Sequence, residues 1–163
     1  MSYRSLAEST PSAIVLDSNL MLLLLVGLLD VGRIKRFKRT QQYSESDFDL
    51  LANFLSPNRR VITTPHILTE VSNLAGQLEG ILLRTFYSLY SRAVQSFEEV
   101  NRSAREVVLT DMFGSFGLTH AVIAEVGKAE VQVLTDDFPL AGFLANKGID
   151  VMLFSTLRSL AGG

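Results

Sequence analysis

Four short runs rich in β-branched and other apolar residues alternate with helix-like segments, and this alternation is the feature that most restricts the fold. The runs are Ala13–Leu16, Arg60–Thr63, residues 131–135 and residues 149–154. Continuous runs of this length are typical of strands that are buried on both faces. Strands that alternate with helices predict an α/β fold. We therefore expect a three-layer sandwich with a central parallel sheet of four to five strands and helices on both faces.

The segment at residues 77–104 stands outside this alternation. Its apolar positions recur at intervals of three and four, which predicts helical structure, either one long helix or a helical hairpin. We therefore expect a helical insertion near 77–104. The length of 163 residues suits a single domain, and no repeat or linker divides the sequence.

Composition excludes several classes of protein. Fifteen basic and seventeen acidic side chains give a net charge of −2, which argues against a generally polycationic nucleic-acid coat protein. There is no cysteine, which excludes a disulfide scaffold, a thiolate zinc site and a cysteine nucleophile.

The apolar run at residues 20–29 is shorter than the roughly 20 residues that a membrane helix needs, so it predicts a buried helix. The first eleven residues lack the apolar core of a signal peptide, so we expect a cytoplasmic protein without membrane association.

Carboxylates follow two of the predicted strands. Asp17 comes directly after the first strand, and Asp136 and Asp137 come after the third. In parallel α/β sheets, ligands bind outside the carboxyl ends of the strands. Glu70, in the helix that follows the second strand, could add a further carboxylate. Gathered carboxylates repel one another, and a hard cation such as Mg²⁺ or Mn²⁺ relieves that repulsion. The alternative is that these aspartates are turn formers and helix caps.

Four motifs occur in an order that resembles the PIN domain. They are IVLDSN at residues 14–19, TPHILTEV at 64–71, GLTHAVIA at 117–124, and LTDDF at 134–138 with the run at 149–154. The PIN family consists of metal-dependent nucleases and includes the toxin ribonucleases of bacterial toxin–antitoxin pairs. The resemblance covers about residues 12–155 and implies a single PIN-like domain over residues 1–163.

The resemblance implies a metal-dependent endoribonuclease. Asp17, Glu70 and Asp137 would hold one or two Mg²⁺ or Mn²⁺ ions, with Asp136 as a close alternative to Asp137. Metal-activated water would hydrolyse phosphodiester bonds in RNA, so no residue nucleophile is required. The hydroxyl of Thr135 could orient a bound water or phosphate. Asn19, in the first motif, completes the predicted site on this side of the sheet.

One position departs from the family pattern. The family has aspartate at the third acidic position, where this chain has His120. We expect Thr119 to be an N-cap, which places His120 in the first helical turn, where the helix dipole favours a neutral imidazole. A neutral imidazole can ligate a metal, although it suits Mn²⁺, Zn²⁺ or Fe²⁺ better than Mg²⁺. The alternative is a catalytically inactive PIN-like domain that binds RNA or protein.

A cluster of basic residues follows the first predicted helix. Residues 33–39 hold five of the fifteen basic side chains, namely Arg33, Lys35, Arg36, Lys38 and Arg39. Beside an acidic crevice they would contact RNA phosphates and bind without sequence preference. The alternative is a solvated charged face. The toxin members of the family further imply an antitoxin partner and a homodimer, and we expect exposed apolar positions of residues 77–104 to form the subunit contact.

Two other α/β readings fit less well. A response-regulator receiver has a neighbouring acidic pair at its first strand, where this chain has Ser18 and Asn19 after Asp17, and a lysine after its last strand, which is missing here. A Rossmann domain has Gly-x-Gly-x-x-Gly after its first strand, and no such motif follows Ala13–Leu16.

Overall fold

The structure is a computed structural model and describes residues 12–55, 59–128 and 131–162. The strands are β1 Ala13–Leu16, β2 Arg60–Thr63, β3 Glu98–Glu99, β4 Gln132–Thr135 and β5 Val151–Leu153. The α-helices are α1 Ser18–Leu29, α2 Glu45–Leu55, α3 Pro65–Ala75, α4 Gly80–Ser96, α5 Ala104–Val107, α6 Asp111–Gly127, α7 Phe138–Asn146 and α8 Phe154–Ala161, and a short 3-10 helix lies at Val31–Arg33. The first eleven residues, on which the expectation of no signal peptide rests, lie outside the described residues.

The five strands form one parallel sheet in the order β3-β2-β1-β4-β5. Val15 on β1 pairs with Ile62 on β2 and with Val133 on β4. The predicted α/β class and the parallel sheet are therefore confirmed. The chain moves outward from β1 through β2 to β3 and then adds β4 on the other side of β1. The sheet consequently has its topological switch point between β1 and β4, which is where open α/β sheets bind ligands.

The centre of the sheet is buried. All four residues of β1 and all four of β4 are buried, and because side chains alternate between the two faces of a strand, both faces are covered there. Helix α1 is also buried around most of its circumference, since nine of its residues are buried. The apolar run at residues 20–29 is thus a core helix. None of the helices in the described ranges combines the length and apolar character that a bilayer crossing requires.

Most of the segment at residues 77–104 is helical, as predicted, and it forms one helix rather than a hairpin. Its first part is the single helix α4, which packs against α1. Its second part contains β3, whose Glu98 pairs with Ile62 on β2. The segment is therefore part of the crossover from β2 to the edge strand β3. Glu98 and Glu99 are both exposed and show no alternation of apolar and polar residues. They are extended because their backbone pairs with β2.

The last predicted strand is shorter than the apolar run at residues 149–154. Strand β5 covers Val151–Leu153, and Phe154 is instead the first residue of α8. Phe154 is fully buried, so its apolar character reflects packing of the helix. The sequence pattern correctly marks residues that are removed from water, but it does not separate strand from helix in so short a run.

Gly27 marks the close approach of α1 to α2, because a Cβ at this position would overlap the ring of Phe48. We expect Gly27→Ala to lower the free energy of unfolding by about 1–3 kcal/mol through overpacking. Gly142→Ala in α7 is the matched control, since a Cβ there meets nothing within 4 Å, and helix propensity should raise stability by up to about 1 kcal/mol. Urea denaturation of both variants measures the difference, and equal effects would contradict the close packing at Gly27.

Candidate functional site

Asp17 is buried at the carboxyl end of β1, with 2% of its surface exposed. Its Oδ1 accepts the backbone N–H of Leu20 at 2.8 Å, which caps helix α1. Its Oδ2 accepts the hydroxyl of Thr135 and the backbone N–H of Asp136, the latter at 3.1 Å. A single carboxylate therefore joins the end of β1, the start of α1 and the end of β4.

The hydroxyl of Thr135 is held on two sides. It accepts the backbone N–H of Asp137 at 3.0 Å and donates its own proton to Asp17. Asp137 in turn caps α7, because its Oδ1 accepts the backbone N–H of Leu140 at 2.9 Å. The predicted site residues Asp17, Thr135, Asp136 and Asp137 are thus brought together by hydrogen bonds at the switch point of the sheet.

Asp136 and Asp137 have different roles in this network. The Oδ2 atom of Asp136 accepts the hydroxyl of Tyr43, and the charge of Asp136 acts directly on Asp17. Asp137 uses a carboxylate oxygen to cap a helix. The sequence favoured Asp137 as the partner of Asp17, with Asp136 as the close alternative. The geometry instead places the Asp136 carboxylate beside Asp17.

Burial and charge repulsion both act on the carboxyl group of Asp17. Desolvation, together with the neighbouring Asp136 carboxylate, raises the pKa of Asp17 to about 7, against the lowering effect of the three hydrogen bonds that it accepts. Burial also raises the pKa of Tyr43, so its hydroxyl stays protonated and donates to Asp136. Two carboxyl groups therefore share a site in which all the hydrogen-bond donors to Asp17 are neutral.

Glu70 lines a separate cleft between α3 and α6. Helix α3 begins at the carboxyl end of β2, where the hydroxyl of Thr64 accepts the N–H of Ile67 at 3.3 Å. The cleft has a volume of about 460 Å³ and is lined by Pro65, His66, Thr69, Glu70, Asn73, Leu118 and Thr119. His66, which the sequence indicates only as a helix-start residue, therefore shares the cleft with Glu70.

His120 lies close to the predicted start of its helix. The helix was expected to begin with Thr119 as its N-cap. Helix α6 covers Asp111–Gly127 but is broken at Gly117, where φ is 78°, so its second helical part begins within two residues of Thr119. The Nδ1 atom of His120 lies 3.2 Å from the carbonyl oxygen of Phe116. A carbonyl only accepts, so this contact makes Nδ1 the protonated nitrogen and, in a neutral ring, leaves the lone pair on Nε2.

The predicted ligands do not assemble into one centre. Within the described ranges, no group of three histidine, aspartate or glutamate side chains is placed to hold a metal ion. Asp17, Glu70, His120 and Asp137 therefore do not form a group of this kind, and Glu70 lines the cleft between α3 and α6. The cluster that does form consists of Asp17, Thr135, Asp136 and Tyr43.

Two buried hydroxyl groups without hydrogen-bond partners among the described residues lie at the carboxyl edge of the sheet, where Asp17 is also found. Ser18 is 6% exposed and Thr63 is fully buried, and neither hydroxyl has a partner within the described residues. Ser18 follows β1 and Thr63 ends β2, which is its neighbour. Buried polar groups are nearly always paired, so these hydroxyls favour a polar ligand here. Asn19, also predicted in the site, is exposed in the first turn of α1.

The basic cluster lies away from the carboxylates. Helices α1 and α3 begin at the carboxyl edge of the sheet, and a helix of eleven residues is roughly 16 Å long. Arg33 and Arg36 line a cleft with Gln77, just beyond the end of α3, and Nε of Arg39 donates to Oε1 of Gln77 at 3.1 Å. The exposed members of the cluster are Lys35, Arg36, Lys38 and Arg39. Arg36 and Arg39 thus form a charged surface beside the end of α3, whereas Lys35 donates to the backbone carbonyl of Gln41 at 3.3 Å.

Sequence reasoning missed three residues of this region. Ser18 and Thr63 are small hydroxyl residues at strand ends, and their position at the carboxyl edge was the only signal that could have indicated them. Tyr43 lies in a polar segment of the sequence and carries no such signal. Its contact with Asp136 spans 93 positions, so only the tertiary structure identifies it.

The raised pKa of Asp17 makes stability depend on pH. Between about pH 4 and pH 7 the folded protein keeps a proton that the unfolded chain releases, so the free energy of unfolding should fall as pH rises through this window. The fall amounts to up to about 4 kcal/mol. Denaturant titrations in chelator-containing buffer should give this slope for the wild type and a flatter one for Asp17→Asn. Parallel curves for the two proteins would rule out Asp17 as the titrating group.

The chain was compared with models of protein families, with curated proteins and with solved structures, and none of the three comparisons found a match.

Proposed function

We propose that this chain is a PIN-like, metal-dependent endoribonuclease that uses Mg²⁺ or Mn²⁺. The observation that carries the proposal is the pair of carboxylates, Asp17 and Asp136, at the ends of β1 and β4. These strands flank the point at which the strand order reverses, where ligands of parallel α/β sheets bind. The four motifs that resemble the PIN family support the choice of phosphodiester hydrolysis among the reactions that such a site could perform.

The donor set fits a hard divalent cation. Mg²⁺ prefers oxygen ligands and is usually bound by one or two carboxylates together with water and substrate phosphate. Asp17 and Asp136 offer two carboxylates, and only neutral groups donate to Asp17. The unpaired hydroxyls of Ser18 and Thr63 lie at the same edge. Asp17 and Asp136 are therefore the residues that would hold the cation.

The chain's own residues prepare the site for this chemistry. Thr135 donates its proton to Asp17, and the N–H of Leu20 holds the other oxygen of the same carboxylate, so the orientation of Asp17 is set before any ligand binds. Such preorganisation lowers the reorganisation cost of the reaction. A bound divalent cation would supply Lewis-acid stabilisation of the charge that develops on phosphate oxygens and would lower the pKa of an attacking water.

The cleft beside Glu70 is the place for the RNA strand. Its lining includes hydrogen-bonding side chains on α3, among them His66, Glu70 and Asn73, and Thr119 on α6. Side chains of this kind bind the sugar and base edges of single-stranded RNA. Helix α3 begins at the carboxyl end of β2, next to β1, so the cleft opens on the same edge of the sheet as Asp17.

Cleavage of single-stranded RNA with Mn²⁺ or Mg²⁺ tests the proposed function. We expect Asp17→Asn and Asp136→Asn to lower the cleavage rate by at least about 100-fold. The matched control is Asp150→Asn, an exposed aspartate that precedes β5 and lies at the opposite edge of the sheet. Its rate should equal that of the wild type. A wild type that cleaves no faster than Asp17→Asn would refute the nuclease.

A second candidate function is a catalytically inactive PIN-like domain that binds RNA. Two observations favour it. The described residues hold no group of three metal-ligating side chains, and His120 replaces the family's third aspartate. The exposed side chains of Lys35, Arg36, Lys38 and Arg39 would then bind phosphates as the main activity. Calorimetry separates the two candidates, since micromolar Mn²⁺ binding that Asp136→Asn abolishes would exclude the inactive domain.

Contact of the basic cluster with RNA should appear in the salt dependence of binding. We expect Arg36→Ala combined with Lys38→Ala to weaken RNA binding and to reduce the slope of log K against log salt by about 2. The control removes two exposed arginines of α4, Arg84→Ala with Arg92→Ala, and should leave the slope unchanged. Fluorescence anisotropy with a labelled single strand measures both slopes, and equal slopes for the two double variants would place the RNA elsewhere.

A further inference from the structure

We propose that Tyr43 is a positioning residue that fixes the carboxylate of Asp136 for cation binding. The inference rests on the proposed function, because it concerns the same site. Tyr43 itself does not touch the reacting atoms. It acts through Asp136, which is the carboxylate beside Asp17.

The contact between Tyr43 and Asp136 leaves one carboxylate oxygen for a ligand. Tyr43 is 1% exposed, and its hydroxyl donates to Oδ2 of Asp136. A buried hydroxyl needs a partner, so the two groups hold each other in place. With Oδ2 engaged, Oδ1 of Asp136 is the oxygen that can turn to a cation. The N–H of the same residue is bonded to Asp17 at 3.1 Å, so backbone and side chain of Asp136 are both fixed.

A compact turn brings Tyr43 to the site. The hydroxyl of the buried Thr40 donates to the carbonyl of Ile34 at 2.8 Å, and the N–H of Tyr43 donates to the carbonyl of Thr40 at 2.9 Å. Ile34 and Phe37 are buried as well. These buried residues anchor the connection between α1 and α2 to the core, although other residues of the connection are exposed.

The ring of Tyr43 is held from a second side by the carboxyl-terminal helix. Phe154 meets it edge-on with ring centroids 6.3 Å apart, and the guanidinium carbon of Arg158 lies 6.0 Å from the tyrosine ring. Arg158 also forms a two-pronged ion pair with Asp47 of α2, at 2.7 and 3.0 Å. Helix α8 thus contacts the ring through Phe154 and Arg158, and the ion pair with Asp47 holds Arg158 against α2.

Removal of the Tyr43 hydroxyl distinguishes its effect on the orientation of Asp136 from the packing of the aromatic ring. Tyr43→Phe keeps the ring between Phe154 and Arg158 and deletes only the donor to Asp136. Loss of a group that orients a metal ligand typically weakens metal affinity by about 10–100-fold. Tyr90→Phe is the matched control, because its hydroxyl donates at 2.8 Å to the backbone carbonyl of Leu68 rather than to a carboxylate.

Terbium(III), an oxygen-preferring cation that emits light when a nearby aromatic residue is excited, is a direct probe. The chain has four tyrosines and no tryptophan, so sensitised emission reports tyrosine alone. We expect direct-excitation titrations to give about 10–100-fold weaker Tb³⁺ binding for Tyr43→Phe and unchanged binding for Tyr90→Phe. Tyrosine-excited emission at Tb³⁺ saturation should be largely lost in Tyr43→Phe and retained in Tyr90→Phe, because Tyr43 contacts the proposed ligand Asp136.

The outcomes distinguish the two proposals. If the wild type and Tyr43→Phe bind Tb³⁺ with equal affinity, Tyr43 does not position a ligand, but the proposed function is not affected. A wild type that binds neither Tb³⁺ nor Mn²⁺ overturns both. If Tyr43→Phe does not melt cooperatively, fluorine NMR of 3-fluorotyrosine wild type decides instead. The Tyr43 resonance, assigned by elimination with the other three Tyr→Phe variants, must shift when Mg²⁺ is added, and an unshifted resonance refutes the proposal.

Discussion

The carboxylate of Asp17 is the group on which the organisation of the site depends. It receives three neutral donors, the N–H of Leu20, the hydroxyl of Thr135 and the N–H of Asp136, from segments that are far apart in the sequence. A buried charge is costly unless hydrogen bonds compensate for its lost hydration. These three hydrogen bonds offset part of the desolvation cost of the Asp17 charge. Binding of a proton or a cation to the carboxylate can offset the rest. The same carboxylate therefore holds β1, α1 and β4 together and offers a proton- or cation-binding group where they meet.

The switch point explains why such a group is placed there. Strand β1 lies between β2 and β4, and helices α1 and α7 follow the carboxyl ends of β1 and β4. Asp17 and Asp137 satisfy the first N–H groups of those helices, and Asp136 lies between the two caps. The same aspartates therefore serve both of the roles that the sequence left open. They are helix caps, and they also bring carboxylates together where a ligand can reach them.

Support for this edge comes from distant parts of the chain. Tyr43 reaches Asp136 from the connection between α1 and α2, and Arg158 holds that region through its ion pair with Asp47. The carboxyl-terminal helix is in this way linked to the site through one aromatic ring. The two parallel hydrogen bonds of this ion pair fix the orientation of the Arg158 guanidinium more strictly than a single contact would. The guanidinium is thereby held in place beside the ring of Tyr43.

Much of the fold and part of the site could be predicted. The β-branched runs located β1, β2 and β4, because buried parallel strands need continuous apolar sequence. The position of Asp17 and of the pair Asp136 and Asp137 after strand ends predicted that these carboxylates would share one site. Edge strand β3 was not predictable, because Glu98 and Glu99 are exposed and join β2 through backbone pairing and an ion pair between Glu98 and Arg60. The helix start predicted at Thr119 lies within two residues of the break at Gly117, whereas the helical residues of α6 before that break were not predicted.

The sequence by itself determined the α/β class, the buried character of α1 and the carboxylates at the ends of β1 and β4, because periodicity and turn chemistry are local properties. Only the tertiary structure decided which carboxylate faces Asp17, that Glu70 lies in a separate cleft, and that Tyr43 belongs to the site. These outcomes depend on side-chain directions and on contacts across more than ninety positions, and a linear pattern contains no information about either.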